Sequence, residues 1–227
     1  MTPKELKIAA AREALGDVRN GMTLGLGTGS TASEFVKLLG AALADGTLRD
    51  IRCTSTSLAT AELARSLNVP VFPLAEIAPL DLAIDGADEI DRDLRLIKGR
   101  GGALLREKIV EQQARRFIVI ADESKVVDRL GIGPLPVEVT PFAVDVLTRK
   151  FAAMNLQPSR RMAGAQPRVT DEGNAIVDVM VPASRDIADV VADLRDLAGV
   201  IETGFFPREA TDAVITGSGG LRRMRRK

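Results

Sequence analysis

Between Gly21 and Asp122 short apolar runs alternate with segments of helical period, and this alternation most limits the fold. "MTLGLGTGST" (22–31) reads as a strand entering a glycine turn. "ASEFVKLLGAAL" then sets Phe35, Leu38, Leu39, Ala42 and Leu43 at helical spacing. "IRCTSTS" reads as a strand, "LATAELARSL" as a helix, and "VPVFPL" and "LDLAID" as strands. "LRLIK" adds a short strand, "ALLREKIVEQQARR" a helix and "FIVIAD" a buried strand. Strand and helix in repeated succession predict an α/β fold, a mostly parallel sheet with helices on both faces. In such sheets ligands sit outside the carboxyl ends of the strands. Three polar loops fall at such ends: Gly25–Thr31, Asp85–Asp91 and Asp122–Lys125.

The pattern changes after "GIGPLPVEVTP". A helix near Phe142–Met154, a strand near Pro167–Thr170, a "DEGN" turn into "AIVDVMV", a helix near Asp186–Ala198 and a strand near Val200–Phe205 describe a small α+β insert with an antiparallel hairpin. "DAVITG" (212–217) reads as a strand returning to the main sheet. The expected division is 1–131 with 207–227 as the main domain and 132–206 as the smaller one. At the start, "TPKE" spells a capping box with proline at the first helical position, opening a helix to about Val18. The closing "RRMRRK" reads as a solvated end or a weak anion-binding arm.

Composition removes whole classes of chemistry. The 227 residues contain no histidine, so histidine triads and histidine metal sites are excluded. A single cysteine, Cys53, excludes an internal disulfide and a cysteine metal cluster. Acid–base work must fall to Asp, Glu, Lys or water. Basic and acidic residues number 31 each, and Trp and Tyr are absent, which argues against a nucleic-acid partner. No apolar stretch reaches the ~18 residues of a membrane span, and "MTPKELKIAA" lacks a signal-peptide run. A cytoplasmic setting is expected.

Four motifs carry chemistry. "GLGTGST" supplies glycines for close backbone approach, hydroxyls at Thr28, Ser30 and Thr31, and an immediate helix start, with Thr31 and Glu34 spaced as a capping box. Backbone N–H groups at a helix N-terminus attract anions. Ser30 breaks the dinucleotide pattern G-x-G-x-x-G, and no Gly-Lys-Ser/Thr follows, so a small phosphate ester fits better than a nucleotide. A plain strand–helix turn is the alternative. "DGADEIDRD" packs Asp85, Asp88, Glu89, Asp91 and Asp93 behind a strand, and reads as a solvated turn, a magnesium cradle or a set of proton carriers. Gly86 and Ala87 let Asp85 and Asp88 aim at one ligand. "KGRGGALLREK" ends a strand at Lys98, forms a loop through Gly99, Arg100, Gly101 and Gly102, and places Glu107 on the next helix. A partly desolvated Glu107 would have a raised pKa suited to a general base; a salt bridge is the alternative. "ADESK" puts Lys125 after "FIVIAD", within reach of a phosphate at the same sheet edge.

Together, "GLGTGSTA", "DGADEID", "KGRGGALLREKIV" and "IADESK", with "PLPVEV" and "VTDEGNAIVDV", resemble the type A ribose-5-phosphate isomerases over nearly the whole chain. The resemblance implies a Rossmann-like main domain with a smaller α+β domain, a homodimer or tetramer, no metal and no organic cofactor. It implies interconversion of ribose 5-phosphate and ribulose 5-phosphate through an enediolate, in the pentose phosphate pathway. By the same resemblance Glu107 is the base, and Asp85, Asp88 and Lys98 assist ring opening, relay protons and stabilise the enediolate. Thr28, Gly29, Ser30, Thr31, Gly86, Ala87, Gly99, Arg100, Gly101 and Lys125 are implied as substrate contacts beside Asp85, Asp88 and Lys98. The family often has Gly where Arg100 stands and Thr where Leu105 stands, so Arg100 either adds a contact or points to solvent. A phosphosugar-sensing domain without catalysis is the competing expectation, since loops like "GLGTGST" also occur in regulators.

Overall fold

The computed structural model describes residues 1–226. The chain opens with α1 (Pro3–Leu15), β1 (Thr23–Leu26), α2 (Ser30–Ala44), β2 (Arg52–Ser55), α3 (Leu58–Ser66) and α4 (Leu74–Ile77). It continues with β3 (Leu82–Asp85), β4 (Glu89–Ile90), β5 (Leu96–Ile97), α5 (Leu104–Gln112) and β6 (Phe117–Asp122). Then come β7 (Leu135–Val139), α6 (Val144–Ala153), β8 (Ser159–Arg160), β9 (Met162–Ala163), β10 (Gln166–Pro167) and β11 (Ala175–Val179). The last elements are α7 (Ile187–Arg195), β12 (Val200–Thr203), β13 (Phe205–Phe206), β14 (Asp212–Gly217) and β15 (Gly220–Arg225).

The main sheet has six strands in the order β15-β14-β6-β3-β1-β2. All neighbours are parallel except the β14–β15 hairpin. The central strand β6 shows why its sequence is apolar throughout. Ile118 and Ile120 join the core beneath α1 and α2, with Ala10, Ala14, Phe35 and Leu39. Phe117, Val119 and Ala121 face the opposite core with Leu96, Phe206 and Ile215. Side chains alternate across a strand, so a strand covered on both faces must be apolar at every position.

A second sheet, β12-β7-β11-β8, is antiparallel. Its own core gathers Val137, Val139, Leu147, Phe151, Val177, Val190 and Leu194 under α6 and α7. The short sheet β13-β5-β4 joins the two. Its strand β5 sends Leu96 into the core of the main sheet and Ile97 into the other. Lys98 follows directly, its N–H donating to Gly204 O at 2.8 Å. Among the described residues no helix is long and apolar enough to cross a membrane.

The α/β class and the capping box of α1 agree with the sequence reading. Four local expectations are corrected. "VPVFPL" forms only a single bridge, Cys53 to Val71, because Pro70 and Pro73 remove ladder donors. Thr31 and Glu34 form no capping box: α2 begins at Ser30 with Gly29 as its N-cap, two residues before the expected cap, and Glu34 instead pairs with Lys37 at 2.8 Å. The segment before "DEGN" meets β11 at one bridge only, Val169 to Ala175, and β11 pairs with β7 and β8. The basic tail is not frayed through Arg225. It forms β15, and Arg223 reaches Glu13 of α1 at 3.4 Å and Asp17 just beyond it at 2.6 Å. Lys227 lies outside the described residues.

Candidate active site

A cavity of about 200 Å³ opens where β1, β3 and β6 end. The expected residues Thr28, Gly29, Ser30, Thr31, Gly86, Ala87, Asp88, Lys98, Gly99, Gly101, Glu107 and Lys125 line it. Asp122, at the start of the third polar loop, lines it too, as does Lys7 of α1, which the sequence did not single out. Asp85 and Arg100 do not line it.

Asp85 lies beneath the glycine turn. Its Oδ1 accepts from Thr28 N at 3.0 Å and Gly86 N at 2.6 Å. A Cβ on Gly27 would stand 2.1 Å from Asp85 Cγ, so only glycine there lets the carboxylate enter. Arg100 turns its guanidinium to Glu89 Oε1 at 2.6 Å, while its backbone N–H donates to Asp88 Oδ2 at 2.9 Å. Glu89 also accepts from Gly131 N and Gly133 N, each at 2.7 Å, so it pins a loop. Asp91 holds its own turn, accepting from Asp93 N at 3.0 Å and Arg95 N at 2.9 Å. The acidic stretch therefore divides: Asp88 faces the cavity, Asp85 underlies it, and Glu89 and Asp91 are structural.

Lys98 is the centre of the buried charge. Its Nζ donates to Gly86 O at 2.6 Å and stands 3.0 Å from Asp85 Oδ2. Glu111 Oε1 is 3.2 Å away and Glu107 Oε1 3.7 Å. Glu111 lies one turn after Glu107 on α5 and is buried against Lys98, a placement that no motif in the sequence marks. Desolvation pushes down the pKa of the Lys98 ammonium, but Asp85, Glu107 and Glu111 together more than reverse this, so it stays charged. Desolvation pushes Glu107 up to about 8, with Lys98 opposing and Asp85 and Asp88 adding repulsion. Desolvation likewise raises Glu111 well above the ordinary carboxyl range, Lys98 again opposing. Glu107 Oε2 has no hydrogen-bond partner among the described residues. Here a carboxyl of near-neutral pKa, a fixed ammonium and a second cavity carboxylate meet at one end of one cavity. That set can remove a proton from carbon and stabilise the resulting oxyanion.

The other end is built for an anion. No side chain caps α2, a helix of 15 residues, and Gly29, Ser30 and Thr31 at its start line the cavity. Lys7 Nζ donates to Ser30 Oγ at 2.9 Å, and Lys125 stands nearby on the cavity wall. The Thr28 hydroxyl turns away, meeting Thr56 Oγ1 at 2.7 Å and Ser57 Oγ at 2.8 Å. Among the described residues no group of three or more acidic or cysteine side chains is arranged to hold a metal ion.

The family described as ribose 5-phosphate isomerase A (phosphoriboisomerase A) matches residues 52–220. The ribose-5-phosphate isomerase A of Roseiflexus sp. is 48% identical over 214 residues, covering 93% of this chain and 92% of its own. That of Agrobacterium fabrum is 45% identical over 230 residues, covering 99% of each chain. A solved D-ribose-5-phosphate isomerase in complex with phospho-erythronic acid superposes with a TM-score of 0.95 at 39% identity, covering 100% of both chains. The ribose 5-phosphate isomerase A of Methanocaldococcus jannaschii superposes with a TM-score of 0.92 at 35% identity, covering 99% of this chain and 100% of its own. The chain belongs to the ribose 5-phosphate isomerase A family.

Proposed function

We infer that this protein interconverts D-ribose 5-phosphate and D-ribulose 5-phosphate through an enediolate, a step of the pentose phosphate pathway. The observation that carries the reading is Glu107. It is a buried carboxyl whose Oε2 is unpaired, whose pKa lies near 8, and whose Oε1 stands 3.7 Å from the Lys98 ammonium. In the forward direction ionised Glu107 removes the proton from C2 of the open-chain aldose. The C–H electrons form the C1=C2 bond, and the carbonyl electrons move to O1. Lys98 stabilises that oxyanion. Glu107 returns its proton to C1, and the O2 proton passes to O1, leaving the ketone at C2. Asp88, on the cavity wall and held by Arg100 N–H, relays the hydroxyl proton and assists ring opening. Asp85 contributes from below by fixing Lys98 and the glycine turn. Ser30, Thr31, Lys7 and Lys125 hold the phosphate at the start of α2. Binding energy from that distant group positions the reacting carbons.

The ligand of the solved relative fits this division. Phospho-erythronic acid joins a phosphate to a planar carboxylate, and the cavity offers an anion site at one end and a lysine at the other. Incubation with ribose 5-phosphate in deuterated water tests the reading. Ribulose 5-phosphate carrying deuterium at the exchanged carbon is expected; binding without turnover would leave only a sensor.

We propose a division into two units, which the distinct core of the second sheet supports. Residues 1–131 with 207–227 form the catalytic unit, and 132–206 a smaller α+β unit around Val137, Phe151 and Val177. A homodimer, or a tetramer built from it, is the assembly we infer, with Phe142 at 98% and Ile132 at 67% exposure as apolar surface that a second copy would cover. Sedimentation of the purified chain checks it. Buried Cys53 and the absence of any disulfide-forming pair suit the cytoplasm.

A further inference from the structure

The loop Gly99–Gly102 forms cavity wall on one side and is gripped on the other by two arginines from outside the main sheet. Arg161, between β8 and β9, donates from Nη1 to Gly99 O at 2.6 Å and to Arg100 O at 3.1 Å. The rest of its guanidinium is fixed by Asp178 of β11, with Nε donating to Oδ2 at 2.8 Å and Nη2 to Oδ1. Arg168, just after β10, donates from Nη2 to Gly101 O at 2.6 Å. Its side chain occupies the space over Gly102, where a Cβ would come within 2.7 Å of Nε. Three successive carbonyls are thus taken by two guanidinium groups.

In a trans peptide the C=O and the following N–H point in opposite directions. With the Gly99 carbonyl held by Arg161, Arg100 N–H points the other way and meets Asp88 Oδ2 at 2.9 Å. With the Arg100 carbonyl held too, Gly101 N–H is directed away from Arg161, and Gly101 lines the cavity. The clamp therefore sets both the peptide face turned to the substrate and the orientation of the Asp88 carboxylate. Asp178 aligns Arg161 without touching the loop, as an outer carboxylate orients a working side chain.

We propose that Arg161 and Arg168 are positioning residues for the isomerisation, a two-guanidinium clamp that fixes loop Gly99–Gly102 and, through it, Asp88. This rests on the site assignment above and adds a part of the chain distant from its four motifs. Neither arginine contacts the reacting carbons, so neither is a catalytic residue. The competing account is that Arg161 and Asp178 form an ion pair serving only the second sheet.

The test compares Arg161→Ala, Arg161→Lys and Arg168→Ala by kcat, KM and thermal midpoint. Ångström-scale loosening of a positioned group lowers turnover by ~10- to 100-fold, so kcat is expected to fall in that range for Arg161→Ala and about tenfold for Arg168→Ala. KM should move less than about threefold, because the α2 anion site is untouched. Arg161→Lys should recover little, since one ammonium cannot span two carbonyls and a carboxylate. Millimolar guanidinium ion should restore part of the kcat of Arg161→Ala. Arg168 is exposed, so its variant keeps its thermal midpoint and carries the test if Arg161→Ala does not fold. Wild-type kcat in Arg168→Ala, or a loss in Arg161→Ala that follows the midpoint and ignores guanidinium, overturns the clamp. The wild-type enzyme and Glu107→Gln run alongside: turnover in the first and its loss in the second leave the site reading intact whatever the arginines do.

Discussion

Lys98 and Lys108 are both 2% exposed and both approach the Phe206 ring, 5.7 Å and 4.5 Å from its centroid. They lead opposite lives. Lys108 donates to the carbonyls of Thr203 at 2.7 Å and Phe205 at 2.8 Å, and pairs with Glu202 at 2.9 Å. Burial still lowers its pKa, with Glu202 opposing. Its three donors are matched by three acceptors, and it ties α5 to β12 and β13. Lys98 instead faces Asp85, Glu107 and Glu111, an excess of acid that holds its pKa above the ordinary value despite burial. Among the described residues, oxygens with no hydrogen bond and no ion pair remain on two of its partners: Glu107 Oε2 and Glu111 Oε2. Burial of a charge is thus no mark of function. The mark is a buried charge whose neighbours are left unsatisfied beside a cavity.

The sharpest way to break this comparison is to remove the base. Glu107→Gln keeps the shape and loses the proton acceptor, so turnover should fall by ~10²- to 10⁴-fold, the span of general-base catalysis. Near-wild-type kcat in a folded variant would sink the assignment. Next, the two lysines are exchanged for methionine. Lys98→Met should lose turnover by ~10²-fold or more, as loss of an oxyanion partner does. Lys108→Met should keep kcat within about threefold and lose stability by ~3 kcal/mol, because the Thr203 and Phe205 carbonyls lose their buried donor. Equal effects on kcat would erase the distinction drawn here.

Two smaller effects sharpen it. Glu107 has an ordinary value of 4.5 and a folded value of about 8, so between these the folded chain retains a proton that the unfolded chain has released. Its contribution to stability is whole below about 4.5 and lost as pH rises through about 8, a change of a few kcal/mol. The thermal-midpoint advantage of Glu107→Gln over wild type should therefore grow with pH over that window, while kcat/KM of the wild type climbs towards a plateau above about 8. A profile flat between pH 5 and 8 refutes both. The smallest effect belongs to Arg100→Ala, expected to change KM less than about twofold and stability by ~1 kcal/mol, since its guanidinium serves Glu89. A tenfold rise in KM would return Arg100 to the substrate.

The parts of the site that the sequence disclosed are those that a local rule controls. Glycine turns, apolar runs and a helix start fix where Thr28 to Thr31, Asp88, Lys98 and Glu107 must lie relative to a sheet edge. Other residues are placed by tertiary packing, which no local spacing records. Lys7 sits in a segment resembling any solvated first helix, yet α1 packs on α2 and brings it to Ser30. Glu111 reads as an ordinary helix acid until α5 lies down on Lys98. Asp85 and Asp88 look equivalent in "DGADE", and only the hollow at Gly27 assigns one to the foundation and the other to the wall. The tail failed for a similar reason: its arginines suggested solvation, but Arg223 meets Asp17 just beyond α1 and Arg225 meets Asp212 of β14.

The order of strands has a consequence for how the protein is made. β6, with its apolar "FIVIAD", takes its partner on one side from β3 and on the other from β14, which follows it in the chain only after β7 to β13. Until Asp212–Gly217 emerges, a nascent chain carries β6 as a bare, adhesive edge. Chains ended before Asp212 would expose that edge permanently and head for inclusion bodies or proteolysis, although every residue of the proposed catalytic set had already been synthesised.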